Sequence, residues 1–223
     1  MKPKVAIIGS GGHARVVVEA IRRAGQMEIW GILDDDVNRH GEMLDGITVI
    51  GGISLLCDRS ADVEFVVVAI GSNRDRLRLA SVVTGWAYQL GTVIHPAASV
   101  ATGVEIGPGS VLMAGSVVQP GAQIGSFAII NTAATVDHDC IVGSCAHLAP
   151  GVHLGGNVSV GRGTLMGIGS LVRPGVSVGE WSVVGMGSVV VSDIPSGVVA
   201  FGVPAAVRHA VAEDEAGGPS HQR

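Results

Sequence analysis

The sequence predicts an α/β domain, a parallel sheet with helices on its faces, followed by a β-helix of six-residue rungs. Three observations carry this. The first 90 or so residues alternate apolar runs with a segment of helical period, and residues 94–195 hold an unbroken six-residue register. The composition, 34 glycines among 223 residues and 47% apolar but only 3% aromatic side chains, suits tight turns and stacked aliphatic layers.

The N-terminal elements follow in order. Val5–Gly9 reads as a strand, and "GSGGHARVVVEAIRRAG" after it sets Val16, Val17, Ala20 and Ile21 at helical spacing, with Gly25 as a stop. "EIWGILDDD" reads as a second strand ending in acids, "GITVIGG" as a third, and "EFVVVAIGSN" as a buried strand with a turn at its end. Residues 74–84 read as helix, and "QLGTVIHP" closes a Rossmann-like domain spanning 1–93. Ligands of such sheets bind at the C-terminal ends of strands. "GSGGHA" sits where a strand turns into a helix, a setting that favours anions. Its glycines are Gly9, Gly11 and Gly12, followed by His13; this is not GxGxxG, which speaks against a dinucleotide cofactor.

From Ile94 to Pro195 the chain divides into 17 hexads, and every first position is Ile, Leu, Val or Met. Gly fills the second position in 8 hexads and the fourth in 9. The first residue is expected to point inward, with a small fifth residue beside it and Gly where φ is positive or backbones approach closely. One rung cannot bury its aliphatic residue alone, so rungs stack into a solenoid. This sets a second domain at 94–200 and a C-terminal segment at 201–223, whose acidic, Gly/Pro/Ser-rich end after His209 reads as disordered.

One stretch interrupts the pattern. Around "NTAATVDHDC", the fourth positions are Phe127, Ala133, Asp139 and Cys145 where Gly dominates elsewhere, and Asn131 and Asp137 occupy second positions. The reading is that the scaffold gives up regularity here because chemistry needs side chains. His138, third in its hexad, is expected at a turn and outward-facing, as a base suited to neutral pH. Asp139 can raise its basicity by stabilising the cation. His95 and His153 read as structural or solvent-facing, and Arg162 and Arg173 as solvated turn arginines with phosphate contacts the alternative.

Composition narrows the partners. A net charge of −5 provides no basic patch for nucleic acid. The first apolar run, Val5–Ile8, is too short for a signal sequence or a membrane span. Cys57, Cys140 and Cys145 have no CxxC spacing and read as reduced thiols of a cytoplasmic protein, and no His/Cys/Asp spacing suggests a metal.

"IIGSGGHARVV", "AIGSN", "IINTAATVDHDC", "CAHLAPGVHLGG" and "GVPA" together resemble the bacterial sugar N-acetyltransferases of the PglD/NeuD family, over residues 4 to about 208. "INTAATVDHDC" is most similar to the GDP-perosamine N-acetyltransferases within it. The resemblance implies a left-handed parallel β-helix with three hexads per coil and a homotrimer with sites at subunit interfaces. It also implies acetyl-CoA as co-substrate without a metal, and as acceptor the 4-amino group of a GDP-, UDP- or dTDP-linked 4-amino-4,6-dideoxy sugar used in surface glycan synthesis. By the same resemblance His138 is the general base, tuned by Asp139, and His147 contacts the thioester region of acetyl-CoA. With three hexads per coil, His147 lies half a coil from His138, so the two imidazoles meet only across a subunit boundary. The pantetheine arm runs along Gly167, Ile168, Gly185 and Met186, with "FGVPAAVR" near the adenine end. Gly11, Gly12 and His13 hold the diphosphate and Asp34 and Asp35 lie near the nucleoside. Gly71, Ser72, Asn73 and Asn131 complete the substrate contacts. O-acetylation of a sialic acid or another hydroxyl acceptor is the alternative chemistry. A non-catalytic trimeric nucleotide-sugar scaffold is the alternative class, and the His138–Asp139 pair argues against it.

Overall fold

Residues 1–57 and 62–212 are described in the computed structural model of the chain. The apolar runs become strands and the 3.6-period segments helices, in the order β1 (Lys4–Ile8), α1 (Gly12–Ala24), β2 (Glu28–Leu33), β3 (Met43–Leu44), β4 (Ile47–Gly51), β5 (Phe65–Val68), α2 (Asn73–Gly85) and β6 (Gln89–Leu90). The sheet order is β3-β4-β2-β1-β5-β6, parallel except for β3. The β3–β4 hairpin escaped the sequence reading although its signal is present: Asp45 and Gly46 both take positive φ, 48° and 81°, as a tight Asp-Gly turn requires. Alternate residues of β1 enter opposite layers. Val5 and Ile7 meet Val17, Val18 and Ile21 of α1, while Ala6 and Ile8 meet Leu79, Ala80 and Val83 of α2. Burial on both sides is why these strands read as continuous apolar runs. Gly25 ends α1 as expected, at φ 66° with its N–H on the Ile21 carbonyl.

Seventeen two-residue strands follow, β7 (Val93–Ile94) to β23 (Val189–Val190), one per hexad. Residues eighteen apart pair in parallel, as in Val111 with Ile129, Ile129 with His147 and His147 with Leu165. Three hexads therefore make one coil of a left-handed β-helix with three faces. The first face carries Val93, Val111, Ile129, His147, Leu165 and Val183. The second carries Ser99, Val117, Thr135, His153, Leu171 and Val189. The third carries Glu105, Gln123, Ile141, Ser159 and Ser177. First positions point inward: from Leu112 to Val190 none is more than 4% exposed. Ile94, Val100 and Ile106 are less covered because no coil lies beyond the first.

The fourth position is left-handed in every hexad from Gly103 to Gly187. Phe127, Ala133, Asp139, Cys145, Asn157 and Trp181 adopt it too, at φ 54–60°. The expected loss of regularity around residues 127–145 is thus corrected. The backbone repeat continues, and side chains are hung on turns that cost a non-glycine residue about 1–2 kcal/mol each. Second-position glycines have a different cause. Gly107, Gly125, Gly143, Gly161 and Gly179 stack at the corner between the third and first faces, where a Cβ would collide with a backbone nitrogen of the next coil.

Two elements complete the chain. β24 (Val198–Gly202) extends the first face beside Val183, and β25 (Ala205–Ala210) folds back on it. Ala210 pairs with Val198, and the Val211 N–H bonds the Gly197 carbonyl, so order persists beyond His209; the remainder of the expected disordered tail, 213–223, lies outside the described residues. The two domains share a core, since the α1 layer includes Val93, Val111 and Met113. Among the described residues no helix is long and apolar enough to cross a membrane.

Candidate active site

His138 stands at the corner between the second and third faces, on the turn after β14 (Thr135–Val136). The left-handed conformation of Asp139, φ 60°, turns its carboxylate back so that Oδ2 lies 2.9 Å from His138 Nδ1. The His138 N–H also donates to Asp137 Oδ1 at 2.8 Å. The Asp139 hydrogen bond holds the imidazole above its ordinary pKa of 6.5, with Asp137 adding to the effect. A carboxylate on Nδ1 selects the tautomer that leaves Nε2 as the proton acceptor. Nε2 lies over Gly156, the residue one coil further on, where a Cβ would overlap the ring. The side chain is 56% exposed. A base aimed outward at a corner, oriented by one carboxylate, can remove a proton from a bound nucleophile.

His147 faces another side of the prism. It lies on the first face, where its Nε2 is 3.2 Å from Asn131 Nδ2 and its ring centroid 6.3 Å from that of His13, with the planes at 40°. The two domains of one chain therefore bring His13, Asn131 and His147 together. Burial, and then the Arg76 guanidinium, push His13 down to about 4. The same causes, with His13 added, hold His147 well below 6.5. Both are neutral imidazoles near neutral pH. His13 Nε2 is buried and has no hydrogen-bond partner among the described residues.

The strand ends of the α/β domain converge on the glycine-rich turn. α1 starts at Gly11 without a side-chain cap and without an acid in its first turn, which leaves N–H groups free for an anion. A Cβ at Gly11, Gly12 or Gly71 would meet nothing within 4 Å, so these glycines border open space. Asp34 Oδ2 accepts the Ser10 N–H at 2.9 Å and the Ser10 hydroxyl, and Oδ1 accepts the Asp36 N–H at 3.0 Å. Asp35 accepts the Ile53 N–H at 2.9 Å. These acids, expected near the nucleoside, accept backbone N–H groups of the loops at the strand ends. Ser72 and Asn73 depart further from a ligand-contact role. The Ser72 hydroxyl caps α2, and Asn73, 2% exposed, donates to the Gly163 carbonyl at 2.9 Å and accepts from Arg76 at 2.7 Å.

Gly167, Ile168, Gly185 and Met186 stack in consecutive coils at the corner between the first and second faces. Ile168 is 56% and Met186 77% exposed, and with Leu171 and Phe201 they form an apolar ledge. A Cβ at Gly185 would lie 2.6 Å from Cβ of Phe201, so the glycine admits the C-terminal hairpin against the prism. Arg208 stacks on Phe201, 4.8 Å from the ring centre. His95 and His153 take local partners, the Ala97 N–H and the Thr135 hydroxyl, and Arg162 and Arg173 are exposed.

Arg76 was not singled out from the sequence. Its signal was its place in α2, three, four and seven residues before the buried Leu79, Ala80 and Val83. A cation on an apolar helical stripe needs an internal partner.

Residues 4–83 match the PglD N-terminal domain family, and residues 97–120 and 157–192 match the hexapeptide repeat of succinyl-transferase. A search of the curated proteins finds no match. Among solved structures, the acetyltransferase domain of PglB from Neisseria gonorrhoeae FA1090 is 38% identical with a TM-score of 0.85, covering 93% of this chain and 100% of that one. PerB from Caulobacter crescentus, solved with CoA and GDP-perosamine, is 40% identical with a TM-score of 0.86 over 92% of this chain and 97% of its own. WeeI from Acinetobacter baumannii AYE is 26% identical with a TM-score of 0.84 over 93% and 100%.

Proposed function

The chain belongs to the family of PglD-type hexapeptide-repeat sugar N-acetyltransferases, and from that premise we propose that it transfers the acetyl group of acetyl-CoA to the 4-amino group of a nucleotide-linked 4-amino-4,6-dideoxy sugar. GDP-perosamine is the first candidate acceptor, because it is bound by a relative 40% identical to this chain. The observation that carries the reading is the His138–Asp139 pair, 2.9 Å apart, which commits Nδ1 to the carboxylate on a half-exposed side chain and leaves Nε2 as the proton acceptor.

The chemistry asks little of the protein. The sugar amine attacks the thioester carbonyl, a C–N bond forms and the C–S bond breaks. His138 Nε2 takes the amine proton and returns it to the departing CoA sulfur. A positioned base contributes about 10²–10⁴-fold. The open N-terminus of α1, with Gly11, Gly12 and His13, fits the sugar-nucleotide diphosphate. Asp34, Asp35 and the Gly71 turn border the nucleoside side. The ledge of Gly167, Ile168, Gly185 and Met186 offers an uncharged groove suited to pantetheine. His138 and this ledge flank the second face of one prism, while His147 and Asn131 belong to the first face and its edge. A homotrimer of parallel prisms sets the His138 edge of one subunit against the His147 side of the next, and we place the reacting groups at that seam.

The test is incubation with acetyl-CoA and a panel of GDP-, UDP- and dTDP-linked 4-amino sugars, read by mass spectrometry for gain of one acetyl group. His138→Ala is expected to lower turnover by about 10²–10⁴-fold while oligomeric state and CoA affinity stay unchanged. Normal turnover in that variant refutes the base assignment.

A further inference from the structure

Arg76 is 1% exposed, and its five N–H donors meet five acceptors. Nε donates to the Phe127 carbonyl at 2.9 Å, and Nη1 to the carbonyls of Ile70 and Gly71 at 2.9 and 3.1 Å. Nη2 donates to the Asn73 side-chain oxygen at 2.7 Å and the Cys145 carbonyl at 2.8 Å. Asn73 extends the row to the Gly163 carbonyl at 2.9 Å. Phe127, Cys145 and Gly163 are the left-handed fourth positions of three consecutive coils on one corner. Arg74 lies over Trp181, the next residue in that row, 5.1 Å from the ring centre. The first turn of α2 therefore grips four successive coils.

All five acceptors are neutral, and no carboxylate pairs with the guanidinium among the described residues. A buried cation without a counter-ion is an expensive way to join two domains. What it touches gives it a second use. Cys145, whose carbonyl Arg76 holds, stands two residues before His147, and the turn of Ile70 and Gly71 that it also holds belongs to the domain that brings His13 within 6.3 Å of the His147 ring. We propose that Arg76, together with Asn73, is a positioning residue for acetyl transfer: it locks the turn after β5 onto three rungs of the β-helix and, through the Cys145 carbonyl two residues before His147, fixes the His147 imidazole relative to the glycine-rich loop. The inference rests on the acetyltransferase reading above.

Arg76→Lys keeps the charge and removes the planar fork. The variant is expected to keep its fold, oligomeric state and affinities for CoA and free GDP, while kcat falls by about 10²-fold, the cost of misplacement by roughly an ångström. In a long-range proton–nitrogen spectrum of the imidazoles, the His147 signals move and the His138 signals stay. Asn73→Ala gives a milder loss, about tenfold, and the double variant is no worse than Arg76→Lys because the two act as a unit. Should Arg76→Lys not fold, Asn73→Ala carries the test. Unchanged kcat in a folded variant, unmoved His147 signals, or loss of kcat only in parallel with CoA and GDP affinity overturns the proposal. Lack of turnover in the wild type refutes the acetyltransferase reading instead, and the imidazole spectrum still reads the positioning.

Discussion

Replacing Gly156 with alanine tests the His138 assignment without touching His138. An added Cβ would lie 2.5 Å from Cε1 and 3.0 Å from Cδ2 of the imidazole, and closer still to Nε2. Carbon atoms rest about 3.5–4.0 Å apart, so the ring must retreat by about 1 Å. Gly156 has no positive φ, so alanine adds no backbone strain there. The imidazole is 56% exposed and can swing outward without disturbing the core. Leaving its place breaks the bond to Asp139 and lets the pKa drop back towards its ordinary value of 6.5. An error of this size costs about 10²-fold in rate. The measurement is steady-state release of the CoA thiol with an amino-sugar acceptor, beside a thermal melt of the same sample. The expected result is a kcat lower by about two orders of magnitude with an unchanged Tm. Full turnover in Gly156→Ala, or a Tm lowered along with the rate, refutes the placement of the base over this glycine.

Other outcomes follow from the same geometry. Asp139→Asn keeps a residue that tolerates the left-handed turn but removes the charge that raises His138. Because the base must be neutral to act, the acid limb of the kcat/KM profile is expected to move to lower pH and the plateau to fall; an unmoved limb shows that Asp139 does not tune the base. The same pair predicts a stability effect with a defined sign. The contribution of a raised histidine is present below 6.5 and fades as pH rises through the folded value, so wild type and Asp139→Asn should differ in denaturant midpoint at lower pH and converge at higher pH. Gly185→Ala drives a Cβ into Phe201 and must displace the C-terminal hairpin. The expected signature is a raised KM for acetyl-CoA with kcat nearly intact, and an unchanged KM removes the hairpin from the CoA groove.

The solenoid was legible because its geometry leaves the sequence little freedom. One inward aliphatic residue per six and a left-handed fourth position are imposed by stacking: the first positions from Leu112 to Val190 are all buried, and the fourth positions from Gly103 to Gly187 are all left-handed. His138 and Asp139 were legible because they are neighbours on a single turn. What sequence reading missed depends on how the domains dock. His13 and His147 stand more than a hundred residues apart, and their approach needs α1 packed on Val93 and Val111 of the first face. Asn73 was read as a ligand contact because its loop matches a binding loop, whereas burial against Gly163 gives its amide a different use. The carbonyls of Phe127 and Cys145 accept from Arg76, a use set by how α2 docks on the rungs and invisible in the hexad pattern.

Pairing at intervals of eighteen residues makes the prism a gauge with discrete graduations. Each coil advances by the spacing of neighbouring strands, roughly 4.8 Å. Deleting or inserting eighteen residues between His138 and Phe201 would change the separation of the imidazole and the hairpin by one such graduation and leave every inward side chain facing in. Six or twelve residues would instead carry the hairpin round to a different side. A ligand reaching from one to the other must match a length that this scaffold can alter only in whole steps.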